Sequence, residues 1–330
     1  MRYAFVMIIA CGEALIDMVS EKDHAGRDIF VPCPGGSPYN TAIAAGRILG
    51  LEKNRPRTAF LSRLSRDFFG EILMRRLEKN NVSPALITRS NENSTLAFVK
   101  LEEGKEPAYI FYTENAADRS LASEDIPAEL PAGTNCVLFG SISLTMEPSA
   151  TSLENFILRE KEREEGPVIS HDPNVRPLMI PDRLSYVNRF EKWVRSSDIV
   201  KISAADFDFI YPGIGPEKGA EKLLGMGPRL VAVTLGAEGS EVFVTRNGIL
   251  KKIHAAAFHF DIADTIGAGD TFHGAFLSWL EERGKLSRKT LDTLTETEIR
   301  EALLFANKAA AIVCSRKGAD PPTLAEIEAG

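Results

Sequence analysis

The run Asp264-Thr-Ile-Gly-Ala-Gly-Asp-Thr-Phe-His-Gly-Ala-Phe-Leu-Ser-Trp-Leu280 sets three small residues and a carboxylate directly ahead of an apolar pattern. Phe272, Ala275, Phe276, Trp279 and Leu280 fall at helical spacing, which predicts a helix beginning near Gly267. Gly267, Ala268 and Gly269 would form its N-terminus. Small side chains there let a ligand approach, and the backbone N–H groups with the helix dipole attract anions. Asp270 falls in the first turn. A carboxylate opposes simple phosphate binding, but it suits removal of a proton from a hydroxyl that attacks phosphorus while N–H groups steady the phosphoryl charge. Capping the helix is the alternative use of an Asp at that position, and spacing leaves both open.

Other polar residues gather at the ends of strand-like runs. Asp17 follows Gly12-Glu-Ala-Leu-Ile and is expected at the end of the first strand, on the edge where open α/β sheets bind ligands. It could accept from two hydroxyls there, or be a solvated turn residue. Ser37-Pro38 reads as a helix start, with Ser37 as N-cap, Pro38 at the first helical position and Gly50 at the end. Gly35-Gly36 exceeds what a cap needs and suits a hinge or close ligand approach; Asn40 either meets hydroxyls or supports the cap. His171-Asp-Pro-Asn-Val-Arg176 brings Asp172, Asn174 and Arg176 to another strand end, with a surface turn as the plain alternative for Asp172. Val233-Thr-Leu-Gly-Ala-Glu-Gly239 has glycines that allow backbone contact with a nucleotide, or is a simple strand-turn-strand. Phe305-Ala-Asn-Lys-Ala-Ala-Ala311 reads as a helix with a small-residue face on which Asn307 is a buried polar residue.

Strands are expected at 6–11, 58–62, Cys136–Gly140, 168–171, 199–202, 230–235 and 241–245, with amphipathic helices such as Phe68–Lys79, 149–164 and Arg183–Arg195 between many of them. This alternation predicts βαβ units around a mostly parallel sheet with helices on both faces. One region departs from it. Runs at 95–101 and Ala108–Tyr112, separated by a polar loop at 102–107, predict a hairpin. With residues from 15 on it could form a small projecting sheet, either a lid or an ordinary edge hairpin. Residues 281–297 read as a polar surface connection.

Composition bounds the partners. The 330 residues carry 39 Lys+Arg against 46 Asp+Glu, a net charge of −7, with 44% hydrophobic and 26% charged residues. That mix is globular, and its mild acidity without a basic tract argues against nucleic acid and anionic membrane surfaces. Cys11, Cys33, Cys136 and Cys314 are scattered, as expected of reduced residues in a cytoplasmic protein. The apolar start is too short to cross a bilayer and reads as a buried strand rather than a signal. No G-x-x-x-x-G-K-[ST] occurs, Gly213-Ile-Gly215 lies in a loop wrong for a dinucleotide fingerprint, and the five His show no zinc spacing.

Asp264-Thr-Ile-Gly-Ala-Gly-Asp-Thr-Phe272 resembles the C-terminal signature of the ribokinase-like sugar kinases, the PfkB carbohydrate kinase family. Pro34-Gly-Gly-Ser-Pro-Tyr-Asn-Thr-Ala-Ile-Ala-Ala-Gly-Arg-Ile-Leu-Gly50, with Phe69-Gly70 following, resembles its other signature. The resemblance covers nearly the whole chain. It implies one α/β domain over 1–330, doubly wound and mostly parallel, with a small β lid from about 15–34 and 94–116. It implies transfer of the ATP γ-phosphoryl group to a sugar hydroxyl with Mg²⁺, Asp270 as base, and Gly267, Ala268 and Gly269 as the anion hole. By the same resemblance Asp17 and Asn40 contact sugar, Gly35 and Gly36 hinge the lid, and Phe98 and Arg119 stand on the sugar side. Asn174 and Arg176 lie near sugar or phosphates, Thr234, Gly236 and Gly239 near ATP, and Asn307 beside adenine. Relatives pair through their lids, so a homodimer is allowed.

Two departures stand out. Relatives carry Asn-x-x-Glu where this chain has Ser203-Ala-Ala-Asp206, one methylene shorter at the residue that organises Mg²⁺ water and phosphates. Relatives also often hold a monovalent cation by residues matching Asp264, the Ile266 carbonyl and the loop 313–322, within which Val313 and Gly318 are the candidates here. Pro322 replaces a Ser ligand of some members, and a carbonyl-dominated K⁺ site could survive that loss. The runs from Asn93, Tyr109 and Asp172 resemble the fructokinase branch, which implies D-fructose as acceptor and fructose 6-phosphate as product. A 2-keto-3-deoxygluconate kinase, with Arg119 or Arg176 meeting the extra carboxylate, is the alternative. A nucleoside kinase would stack a base on Phe98 and Phe111. A catalytically silent sugar sensor is the non-enzyme reading.

Overall fold

Period-two alternation sorts the strands into two cores. The structure, a computed structural model, describes residues 7–100 and 108–329. Residue 6 of the expected first strand and residues 101–107 of the expected hairpin lie outside the described residues. In β1 (Ile8–Cys11), Ile8 and Ala10 enter one core, while Ile9 and Cys11 enter the other. After β1 come β2 (Leu15–Lys22), β3 (Asp28–Gly35), α1 (Ser37–Leu49), the short pair β4 (Leu51–Glu52) and β5 (Arg55–Pro56), β6 (Thr58–Ser65), α2 (Phe68–Lys79), β7 (Val82–Ser90), β8 (Thr95–Lys100) and β9 (Ala108–Tyr112). The second half adds β10 (Cys136–Gly140), α3 (Ser149–Glu162), β11 (Val168–Asp172), α4 (Arg183–Arg195), β12 (Ile199–Ser203), α5 (Ala204–Ile210), α6 (Pro216–Leu224) and β13 (Leu230–Thr234). It ends with β14 (Ser240–Arg246), β15 (Ile249–Ala255), α7 (Ala268–Glu282), α8 (Arg288–Leu291), α9 (Glu296–Cys314) and α10 (Leu324–Ala329).

The main sheet runs β15-β14-β13-β12-β11-β10-β1-β6-β7, parallel from β13 to β7 and antiparallel at β13-β14-β15. Helices α1, α2, α7 and α9 cover one face, with Phe272, Phe276, Leu303 and Leu77 in that core. Helices α3 to α6 cover the other, through Phe156, Phe190, Trp193, Phe207 and Leu223. Each such side chain contributes about 1.5–3 kcal/mol by leaving water. The fold is therefore the expected α/β sheet with helices on both faces. β12, β11, β10 and β1 lie side by side at its centre. Among the described residues no helix is long and apolar enough to cross a membrane.

A second sheet, β3-β2-β8-β9, stands apart from the first. β8 and β9 pair antiparallel as expected, and β2 pairs with β8 in parallel. Asp17 is thus the third residue of β2, opposite Cys33 and Ala97, rather than the end of the first strand. The chain turns at residues 12–14 and starts a new strand before Asp17 is reached. Residues 281–297 are also more than a surface connection: Leu286, Leu291 and Leu294 are buried in the α7–α9 core.

Candidate active site

The late helix begins as the sequence predicts, with Gly267 as N-cap of α7 in the left-handed region at φ 77°. A Cβ at Gly267 would also meet the Ala319 Cβ at 2.7 Å, so this turn requires glycine twice over. The Ala268 N–H donates to the Thr265 carbonyl at 3.3 Å and the Thr271 N–H to Gly267 at 2.8 Å. The remaining first-turn N–H groups fall outside the helical ladder.

Asp270 is buried in that first turn, and both its oxygens are held from α1. Ser37 Oγ donates to Oδ1 at 2.6 Å and Asn40 Nδ2 to Oδ2 at 3.0 Å. This corrects the local reading of Ser37. The N-cap of α1 is Gly36 at φ 106°, with no side-chain cap, because the Ser37 hydroxyl has a charged acceptor across the molecule. Burial raises the Asp270 pKa; the Ser37 and Asn40 bonds and the Lys201 charge pull it back, and Asp172 adds a further rise.

Two cavities meet at this turn. The smaller, of about 300 Å³, is lined by Asp17, Gly36, Asn40, Asn174, Arg176, Ile266, Gly267, Ala268, Gly269 and Asp270, with Leu15, Val99 and Phe111 from the small sheet. Gly35, at the end of β3, lies against the Asp17 carboxylate, where a Cβ would collide with Oδ2. The larger, of about 610 Å³, is lined by Lys201, Ser203, Asp206, Thr234, Gly236 and Gly239, with Phe258, Ala310 and Ala311 on an apolar side. Asn174, Thr265, Ala268 and Gly269 belong to both. Asp17 therefore faces the same space as Asp270 from the opposite sheet. Burial pushes its carboxyl up to about 6, with Arg176 pulling down and Asp270 pushing up.

Ser203 and Asp206 form a reciprocal capping box at α5. Ser203 Oγ accepts from the Asp206 N–H at 3.0 Å, and Asp206 Oδ2 accepts from the Ser203 N–H at 2.9 Å. Asp206 Oδ1 takes the Val175 N–H at 2.8 Å, which ties this turn to the Asn174 loop. Asn174 itself sits at φ 36°, and its Oδ1 accepts from Arg176 Nη1 at 2.7 Å. Asp264 joins two loops: its oxygens accept from the Ile266 N–H at 3.0 Å and the Gly318 N–H at 2.9 Å. The Val313 carbonyl accepts the Arg316 N–H at 3.0 Å and the Gly318 carbonyl the Asp320 N–H at 2.9 Å. Among the described residues no group of three or more His, Cys, Asp or Glu is set to hold a metal ion.

Three expected residues stand elsewhere or do something else. Phe98 points away from the cavity, packing edge-on against Phe30 and Tyr112, because alternation along β8 gives the inner face to Ala97 and Val99. Arg119 does not line the cavity either; its Nε donates to the Glu147 carbonyl at 3.3 Å. Asn307 borders the larger cavity, but its amide is spent. Nδ2 donates to the Ala255 and Ala256 carbonyls at 3.0 and 3.1 Å, and Oδ1 accepts from Ser240 at 2.8 Å.

Two residues escaped the sequence reading. Lys201, in the middle of β12, is 4% exposed and donates to Asp172 Oδ2 at 2.9 Å. A charged residue inside an otherwise apolar strand was its signal. Glu13 is buried beneath the diglycine, accepting from the Ser37 N–H at 3.0 Å, the Ser143 N–H at 3.3 Å and the Ser143 hydroxyl. Burial pushes its carboxyl up to about 7.

Residues 7–326 match the model of the pfkB family carbohydrate kinases. The chain is 38% identical over 296 residues, 89% of its length and 86% of the relative's, to a fructokinase of Rhizobium leguminosarum bv. trifolii. A crystal structure of fructokinase with bound ATP from Xylella fastidiosa superposes with a TM-score of 0.85 at 25% identity, covering 98% of this chain and 97% of that one. A double mutant of fructokinase from Vibrio cholerae O395, with fructose, ADP and potassium ion bound, gives 0.82 at 26% identity over 98% of both chains.

Proposed function

The chain belongs to the pfkB family of carbohydrate kinases and is a sugar kinase, and on that premise we propose that it transfers the γ-phosphoryl group of ATP to the 6-hydroxyl of D-fructose. The observation that carries this reading is the position of Asp270. Its carboxylate is fixed by Ser37 and Asn40 where the two cavities join, beside the N-terminus of α7. Sugar occupies the smaller cavity and the nucleotide the larger. The sugar oxygen attacks phosphorus, its proton passes to Asp270, and the bond from phosphorus to the β-phosphate oxygen breaks, with ADP leaving on that electron pair. N–H groups of the Gly267–Gly269 turn face the charge on the phosphoryl oxygens.

Asp17 and Asn40 supply acceptors for sugar hydroxyls; Asn40 Oδ1 has no partner among the described residues. The Asp17 charge in the same cavity opposes an acidic sugar, while Arg176 is already held by Asn174 and Val175, and together these favour fructose over 2-keto-3-deoxygluconate. Asp206, a buried carboxylate lining the larger cavity, accepts from the Val175 N–H at Oδ1 and from Ser203 at Oδ2. The second Oδ1 lone pair would face the water shell of a Mg²⁺ ion, which would neutralise phosphate charge. The Asp264 carboxylate, with the Ile266, Val313 and Gly318 carbonyls of the two loops it joins, has the oxygen chemistry that suits K⁺, which would steady the anion-hole loop. Four unpaired cysteines suit a cytoplasmic setting. Phe30, Ile110 and Tyr112, exposed on the outer face of the small sheet, are the proposed contact of a homodimer.

Coupled ADP release with fructose, ribose, 2-keto-3-deoxygluconate and adenosine tests the assignment. Fructose is expected to give the highest kcat/KM. Binding without turnover on every acceptor would leave a sensor in place of a kinase.

A further inference from the structure

β12 reads Ile199-Val-Lys-Ile-Ser203, a strand suited to a sheet interior around one lysine. An ammonium so buried costs several kcal/mol unless anions face it. Asp172 on the neighbouring β11 provides one at 2.9 Å, and a purely structural ion pair would need nothing more. Two observations go further. The ammonium has three N–H donors, and the Asp172 carboxylate takes one of them. Lys201 also lines the larger cavity where it meets the smaller, with Nζ 2.9 Å from the point where a Cβ on Gly269 would sit. Any side chain at 269 would cover the ammonium; glycine leaves it open to whatever rests on the turn.

We propose that Lys201 is a catalytic residue, its ammonium contacting the phosphoryl group as that group passes from nucleotide to sugar at the N-terminus of α7. This rests on the kinase reading above. Charge balance favours it. Asp17, Asp172, Asp206 and Asp270 crowd this region, and the triphosphate adds more negative charge. The helix end supplies about half a positive charge. Arg176 is held on the Asn174 and Val175 carbonyls and the Asn174 side chain. Lys201 is a fixed, desolvated cation beside the position of the transferring oxygens, where preorganised charge acts most strongly. It keeps its own proton throughout; the alcohol proton goes to Asp270. The same charge favours the ionised form of Asp270, so its loss acts twice.

Lys201→Met strands Asp172, so it is paired with the Asp172→Asn/Lys201→Met double variant, neutral on both sides. In the coupled assay with ATP and fructose, both are expected to lose roughly 10²–10³-fold in kcat with the fructose KM within about threefold of wild type. Lys201→Arg, which keeps the charge, is expected to retain more activity than Lys201→Met. The single Met variant should also move the acid limb of kcat/KM to higher pH. That limb reports Asp270, which Ser37 and Asn40 face from α1, Asp17 from β2, Asp172 from β11 and Lys201 from β12. A double variant that is folded by circular dichroism and turns over within about threefold of wild type overturns the role, as do equal rates for the Met and Arg variants. Wild-type protein that phosphorylates no sugar overturns the kinase reading itself, before any variant is compared.

Discussion

Ser37 and Asp270 are 233 positions apart in sequence, yet the Ser37 hydroxyl lies 2.6 Å from Asp270 Oδ1. The bond locks the start of α1 to the start of α7, two helices that share one core. It also helps hold the carboxylate in its charged form against burial. Ser37→Ala removes that support, so the acid limb of kcat/KM should move to higher pH. Rate–pH profiles of the two proteins check this; superimposable limbs would mean that Ser37 leaves the base untouched.

Asp270→Asn keeps the shape and removes the proposed base. Its kcat should fall by roughly 10²–10⁴-fold with sugar affinity nearly retained. Stability should hold or rise at pH 7, because the raised pKa of Asp270 means its ionised form opposes folding. Isothermal titration with fructose, together with a thermal melt, separates loss of chemistry from loss of fold.

Glu13 gives a pH dependence in stability rather than rate. Its pKa is raised to about 7 from an ordinary value of 4.5, so its favourable contribution is present below about 4.5 and lost as pH rises through 7. The loss is about 3 kcal/mol. Glu13→Gln cannot titrate there, although its amide must face donors from Ser37 or Ser143 and so costs stability at low pH. The gap between wild type and variant in urea unfolding should therefore narrow from pH 4.5 to pH 8.5. A constant gap would place the Glu13 pKa outside that range.

Asp17 should govern sugar affinity. Removing a charged acceptor costs about 1.5–3 kcal/mol, so Asp17→Asn should raise the fructose KM roughly 10–150-fold. In wild type the KM should rise as pH falls through about 6, when the carboxylate is protonated. That pH dependence should vanish in the variant; its persistence would assign it to another group.

Potassium offers a test without mutation. Replacing K⁺ by Li⁺ at constant ionic strength should lower kcat by roughly tenfold, about 1.4 kcal/mol of transition-state stabilisation, if the Asp264 loop holds the larger ion. Equal rates in both salts would leave the hydrogen bonds of Asp264 to Ile266 and Gly318 as its whole role.

Local chemistry made much of this legible. Small residues ahead of an amphipathic run located the start of α7 to within one position, and the alternation of strands and helices gave the main sheet. What local pattern could not give was direction and distance. A Ser before a Pro has one hydroxyl that can cap its own helix or reach across the molecule, and only the fold chooses. Phe98 and Val99 differ by one step along a strand, so the inner face depends on which side the cavity lies. Lys201 becomes intelligible only when parallel pairing sets Asp172 beside it. Asn307 has the amide expected beside a base, but neighbouring carbonyls claim it first.

Of the carboxylates that line the smaller cavity, Asp17 belongs to the small sheet and Asp270 to the helix on the main one. In the proposed reaction, an outward swing of the small sheet would carry Asp17 away from the acceptor while leaving Asp270 and Asn40 behind. Water reaching Asp270 in that arrangement would lack the Asp17 contact that a seated carbohydrate makes, and under the proposed reaction this division of labour would guard against futile hydrolysis of the phosphate donor.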